Sequence, residues 1–220
     1  MPLSTVHLLR HGEVFNPERK LYGRIPGYGL SELGFAMADG AGKYFAEHQE
    51  NGGRIVRLVA SPLLRAQQTA APTAAALDLE IITDDRVIEA GNKLEGLSKV
   101  ASQLKQPKYW PLLVNPFKPS WGEPYVLQVA RMRQAMAEHL AAAVDAHGEG
   151  SEIVIVSHQL PIWVTRRDAE GKALFHDPRK RECTLASITS FDFDAGELKD
   201  VRYTEPCPEL LAGAANIPGA

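Results

Sequence analysis

Residues 55–83 read IVRLVASPLLRAQQTAAPTAAALDLEIIT, and the order of patterns within them decides the fold class. Ile55 to Ala60 is alternating and β-rich, which suits a strand that Ser61-Pro62 stops. Leu64 to Leu77 is alanine-rich, as a helix would be, with Arg65 in its first turn. Leu79 to Thr83 is a second short β-rich run, closed by Asp84-Asp85. A strand, a helix and a strand in this order imply parallel strands joined by a covering helix.

The same alternation extends on both sides. Upstream, Val6 to Leu9 is a short apolar strand ending abruptly at Arg10-His11-Gly12-Glu13. A Pro/Gly-rich loop over 16–30 follows. Ser31 then reads as a helix N-cap with Glu32 in the first turn, and Leu33, Met37, Ala41 and Tyr44 lie on one helical face. Downstream, 86–125 is rich in proline and aromatics, with a short helix near 98–104, and reads as a lid. Val126 to Ala146 predicts the longest helix, with Val126, Val129, Arg133, Ala137, Leu140 and Val144 facing inward. Ile153 to Val156 predicts a central strand ending at Ser157-His158, residues 165–182 a charged loop, and 185–203 a hairpin around Asp194-Ala195-Gly196-Glu197. The expectation is a three-layer α/β/α fold with a mainly parallel central sheet. One domain would span 1–205, with a lid insertion at about 92–125, followed by a tail at 206–220 in which Leu210, Leu211 and Ile217 could dock.

Composition supplies boundaries. The 220 residues carry a net charge of -3, with no basic surplus to expect of a nucleic-acid binder. No apolar run is long enough for a bilayer, and Arg10 and His11 interrupt the N-terminal run too early for a signal peptide. Two cysteines, Cys183 and Cys207, make no disulfide framework and suggest reduced thiols in a cytoplasmic protein. No His-x-x-x-His or Cys/His cluster marks zinc, and no P-loop motif is present, so neither a metal nor a cofactor is expected.

Chemistry collects where strands end. In an open parallel sheet, ligands bind outside the carboxyl ends of the strands. That rule brings Arg10, His11, Arg65 and His158 to one crevice, with Glu89 just beyond the third strand. Guanidinium forks match phosphate oxygens, a neutral imidazole is a nucleophile, and a carboxyl group can pass a proton to a leaving oxygen. Together they compose a phosphoryl-transfer pocket in which Gly12 lets the backbone approach the phosphate. His7 is expected to be structural, His48, His139 and His147 to face solvent, and His176 is undecided.

Leu9-Arg10-His11-Gly12-Glu13, Ser61-Pro62-Leu63-Leu64-Arg65-Ala66-Gln67-Gln68-Thr69-Ala70 and Val156-Ser157-His158, in this order, resemble the histidine phosphatase superfamily, the phosphoglycerate mutase-like group. Leu30-Ser31-Glu32-Leu33-Gly34 and Glu89 with Glu95-Gly96 match further family positions. The resemblance implies that His11 is the nucleophile and Glu89 the proton donor and then the base. It also implies that Arg10, Arg65, His158 and Asn16 hold the phosphoryl group of a small phosphorylated substrate. The connection from Glu89 to His158 is shorter than mutases of the family usually have, which favours hydrolysis over mutase-type transfer; a non-catalytic binding module is the remaining alternative. Gln159 after the second histidine and Arg24-Ile25-Pro26-Gly27-Tyr28 depart from the family pattern around the substrate mouth. Tyr109, Trp110, Phe117 and Trp121 in the lid suit a sugar, nucleobase or phenyl group.

Overall fold

The computed structural model describes residues 2–98, 100–115 and 121–214. Its strands and helices alternate as β1 (Ser4–Arg10), α1 (Glu32–Glu50), β2 (Ile55–Ala60), α2 (Leu64–Leu77), β3 (Ile81–Thr83), α3 (Val100–Gln103), α4 (Tyr125–His147), β4 (Glu152–Ser157), α5 (Gln159–Ala169), β5 (Ile188–Asp194) and β6 (Glu197–Thr204). They build one six-stranded sheet in the order β3-β2-β4-β1-β5-β6. The first four strands in that order run parallel, β5 pairs antiparallel with β1, and β6 pairs antiparallel with β5.

Alternation along β1 divides the core. Val6 and Leu8 pack with Met132, Met136, Leu140, Ile162 and Trp163 on the α4/α5 side. Leu9 packs with Ala41, Phe45, Ala66 and Ala70 on the α1/α2 side. Both faces are covered, so every residue of β1 and all but the first of β4 are buried. A Cβ on Gly42 would sit 3.1 Å from Pro72, so glycine lets α1 and α2 pack this closely. Ser31 caps α1 by accepting the Gly34 amide hydrogen, as its position suggested. Ala195 and Gly196 both adopt positive φ in the β5–β6 turn, the backbone a tight hairpin requires.

Several expectations change. The inward stripe of α4 is Val129, Met132, Met136, Leu140 and Ala143, while Val126, Arg133 and Ala137 face outward. The sulfur-bearing side chains reach into the core, so the stripe is rotated from one read off the β-branched residues. The stretch from 165 is not loop at first: α5 continues to Ala169, because Ile162, Trp163, Val164 and Thr165 are buried under it. β3 begins at Ile81 rather than Leu79. His139 is buried, with Nε2 against Asp84 at 2.9 Å and Nδ1 accepting from Arg57 Nε at 3.1 Å. The insertion is pinned at its base: Lys93 N donates to Trp121 O at 2.7 Å and Glu123 N to Gly91 O at 2.9 Å. Phe117 lies outside the described residues, as does Ile217. Leu210 and Leu211 pack near Met37 and Leu185. Cys183 and Cys207 are free thiols.

Candidate active site

β1 ends by presenting Arg10 and then His11 at the carboxyl edge of the sheet, and β4 ends beside it with His158 as the N-cap of α5. β1 and β4 are neighbours in register, so the two imidazoles meet with ring centroids 5.2 Å apart. β2 ends on the other side of β4, and Ser61 there places its Oγ 2.8 Å from His158 Nε2. Arg65, in the first turn of α2, is buried with its guanidinium 4.7 Å from the Tyr22 ring centroid. All of Arg10, His11, Arg65, Glu89 and His158 are therefore buried at one end of the sheet.

The hydrogen bonds assign the tautomers. His11 Nδ1 lies 2.8 Å from the Gly12 carbonyl oxygen, which can only accept, so Nδ1 carries the hydrogen. Nε2 then bears a bare lone pair, and it has no partner among the described residues. Burial first, and then the charges of Arg65 and Arg10, push the His11 pKa well below its ordinary value. His158 is held neutral in the same way, by burial and then Arg65. When the Ser61 hydroxyl donates to His158 Nε2, Nδ1 carries the ring's one N–H hydrogen, a donor without a partner among the described residues.

Each guanidinium is anchored at one end and open at the other. Arg10 Nη1 donates to the Cys183 carbonyl at 2.7 Å, and Arg65 Nη2 donates to the Gly23 carbonyl at 2.7 Å. The Nε of each is buried without a partner among the described residues. Glu89 is buried, and one oxygen accepts from Ala90 N at 2.7 Å. Desolvation raises its pKa even though that amide and the charges of Arg65, Arg181 and Arg10 oppose the rise. A carboxyl group made a weaker acid by burial thus shares a cationic pocket with a neutral imidazole.

Two sequence-based assignments are revised. Gly12 is glycine because a Cβ there would fall 2.5 Å from the Gly34 carbonyl oxygen, so the first constraint is backbone against backbone. Its amide donates to Thr69 Oγ1 at 3.1 Å. No hydrogen bond in the described residues draws Asn16 into the pocket: its Nδ2 donates to Lys20 O at 2.8 Å and its Oδ1 accepts Lys20 N at 3.0 Å. It holds the loop leading to Tyr22. Residues the motif reading missed include Ser61, Thr69, Tyr22 and Arg181. Thr69 was available from spacing, four residues after Arg65 on the same helical face. Arg181 gave no local signal; it reaches the site by donating to His176 Nε2 at 2.9 Å and Gln159 Oε1 at 3.2 Å.

Beside Glu89 opens a cavity of about 330 Å³. Leu21, Leu94, Leu104, Trp121, Tyr125 and Leu160 form its apolar wall, and among the described residues that line it Arg181 is the one cation. Of the lid aromatics, Trp121 lines this cavity, while Trp110 is exposed.

Comparison with known proteins agrees with this geometry. The model of the histidine phosphatase superfamily (branch 1) matches residues 6–205. Uncharacterized protein Rv0525 of Mycobacterium tuberculosis is 47% identical over 209 residues, covering 94% of this chain and 98% of that one. A mycobacterial glucosyl-3-phosphoglycerate phosphatase, Rv2419c, superposes with a TM-score of 0.71 at 22% identity, over 92% of this chain and 96% of that one. An Entamoeba histolytica phosphoserine phosphatase superposes at 0.69 with 21% identity, over 92% and 98%. At these identities the two structures speak to the fold alone. No helix among the described residues is long and apolar enough to cross a membrane.

Proposed function

The chain belongs to the histidine phosphatase superfamily, and from that premise we propose that it is a metal-independent phosphomonoesterase working through a phosphohistidine on His11. The observation that carries the reading is the His11 tautomer: hydrogen on Nδ1, lone pair on an unpartnered Nε2, and positive charge on both sides.

The steps follow from the groups in place. The phosphoryl oxygens take hydrogen bonds from Arg10 and Arg65 Nε and from His158 Nδ1, which offsets the charge that develops in transfer. His11 Nε2 attacks phosphorus and forms the P–N bond as the P–O bond to the leaving group breaks. Glu89, whose pKa burial raises, gives its proton to that leaving oxygen. Glu89, now a carboxylate, takes a proton from water; the water oxygen bonds to phosphorus, the P–N bond breaks, and inorganic phosphate and neutral His11 are restored. The arginines supply the fixed positive charge for both steps.

The cavity supports the nature of the leaving group. Its apolar wall and Trp121 suit an alcohol or phenol with an extended apolar or flat surface. A mutase substrate brings a second phosphate, and among the described lining residues the one cation is Arg181, already shared with His176 and Gln159. A non-catalytic module has no use for a readied nucleophile.

The test is hydrolysis of p-nitrophenyl phosphate in EDTA, inhibition by vanadate, and an alkaline quench followed by peptide mapping. Phosphate on the peptide carrying His11 is expected, along with loss of both label and turnover in His11→Ala. Full activity in His11→Ala would overturn the mechanism. Trp121→Ala is expected to raise KM for aryl and glycosyl phosphates more than for methyl phosphate. Equal effects on all three would remove Trp121 from substrate recognition.

A further inference from the structure

The opposite end of the sheet holds a second cluster of ligand atoms. His7 lies on β1, Glu152 opens β4, and His48 sits in the last turn of α1. His7 Nε2 and His48 Nε2 both approach the same oxygen, Glu152 Oε2, at 2.8 and 2.6 Å. The three atoms all lie within 4.8 Å of one another. We propose that His7, His48 and Glu152 form a divalent transition-metal site of zinc type, remote from the catalytic pocket.

The donor set is chemically suited to it. Two imidazole nitrogens and one carboxylate oxygen are borderline ligands that leave one position for water on a tetrahedral ion.

The surroundings also orient the rings. His7 Nδ1 is 2.8 Å from Ser190 Oγ, which can accept the hydrogen that moves to Nδ1 when Nε2 takes the metal. His48 is held in place by a glycine: a Cβ on Gly53 would lie 2.3 Å from His48 Cδ2. Glu152 Oε1 is fixed by the Arg54 amide at 3.2 Å, leaving Oε2 for the ion. His48 is half-buried and gives the ion a route from solvent. Zinc–nitrogen bonds of about 2.0–2.1 Å set ligand atoms about 3.3 Å apart. Entry of the ion therefore needs the present contacts to open by roughly half an ångström, within the reach of side-chain rotation at His48.

The experiment uses the full chain stripped of metal. Calorimetric titration with zinc chloride is expected to show one equivalent bound at micromolar Kd or tighter. Cobalt(II) is expected to give the intense visible band of tetrahedral coordination. His48→Ala and Glu152→Gln, neither of them in the catalytic pocket, are expected to weaken zinc binding at least tenfold while p-nitrophenyl phosphate turnover is retained. In case a variant misfolds, long-range ¹H–¹⁵N spectra of the wild-type chain are expected to show zinc shifting Nε2 of both His7 and His48. The proposal is overturned if no stoichiometric zinc binds, if those nitrogens do not shift, or if binding survives His48→Ala and disappears in His11→Ala. That last result would place the ion in the phosphate pocket.

Discussion

Glu89→Gln separates the two chemical steps. The amide keeps the volume of the side chain and an oxygen for the Ala90 N–H, but has no proton to give and no basic carboxylate. In the structure burial has raised the Glu89 pKa over the opposition of three arginines. A bound phosphate dianion would raise it further, which favours the protonated acid, and the amide is nearly isosteric and isocharged with that form. The dissociation constant for substrate should therefore change little, while KM falls along with kcat wherever phosphohistidine hydrolysis becomes rate-limiting. The loss depends on the leaving group. With an alkyl phosphate the departing oxygen must be protonated as it leaves, and kcat/KM should fall by about 10²–10⁴, or about 2.7–5.4 kcal/mol of barrier. With p-nitrophenyl phosphate the leaving oxygen is stable as an anion, and kcat/KM should fall by less than about tenfold. Turnover of both substrates should still be slow, because water attack on phosphohistidine needs the same residue as base. Rapid quench should show a burst of nitrophenol close to one equivalent, followed by a slow steady state. If Glu89→Gln keeps kcat/KM for alkyl phosphates within about threefold of wild type, another group donates the proton and the assignment is wrong.

Ser61→Ala removes the hydroxyl that sets the His158 tautomer and should cut kcat/KM about tenfold, while Ser61→Thr should retain most of it. Unchanged activity in the alanine variant would show that His158 needs no such partner. Gly12→Ala drives a methyl against the Gly34 carbonyl and should cost about 1–3 kcal/mol, read as a lower urea midpoint at constant m. An unshifted midpoint would refute the close approach. Stability of the free protein should also fall below neutrality. His11 and His158 stay neutral when folded but bind protons near pH 6.5 when unfolded, so the unfolded state gains protons first and stability rises with pH. Between pH 7.5 and 5.5 these two groups together should cost about 2–3 kcal/mol, and the double variant His11→Gln/His158→Gln should flatten that dependence in urea titrations. An equal slope in both proteins would place the proton uptake elsewhere.

What the sequence made legible was the part of the fold carried by local pattern. The strand at Ile55–Ala60, the cap at Ser31 and the polar residues ending β1 and β4 are each visible within a few neighbours. What it hid depended on contacts between distant segments. The inward face of α4 could not be separated from its outward face, because Val126 looks as apolar as Met132 until the sheet position is known. His139 reads as a surface histidine until Asp84 and Arg57 arrive from other elements. Arg181 belongs to the site only because His176 and Gln159 turn it inward. The same applies to Glu152, paired with histidines 145 and 104 residues away.

The strongest link from structure to chemistry is the pattern of unmet hydrogen bonds. Among the described residues, eight buried side-chain polar atoms lack a partner, and four belong to Arg10, His11, Arg65 and His158. An orphaned buried polar group costs about 1–3 kcal/mol, so a fold that concentrates them gains only when a ligand arrives to satisfy them. The set is specific in kind as well as number. Both Nε atoms are donors, His158 Nδ1 is a donor in the tautomer Ser61 selects, and His11 Nε2 offers a lone pair. Three unmet donors in one buried cluster call for a group with several oxygens, and the lone pair calls for an electrophilic centre among them. A carboxylate satisfies the donors but gives His11 no comparable electrophile, and a sugar hydroxyl satisfies neither. A phosphoryl group meets both demands at once, and so the leaving group, not the phosphate, is left for the apolar cavity beside Glu89 to select.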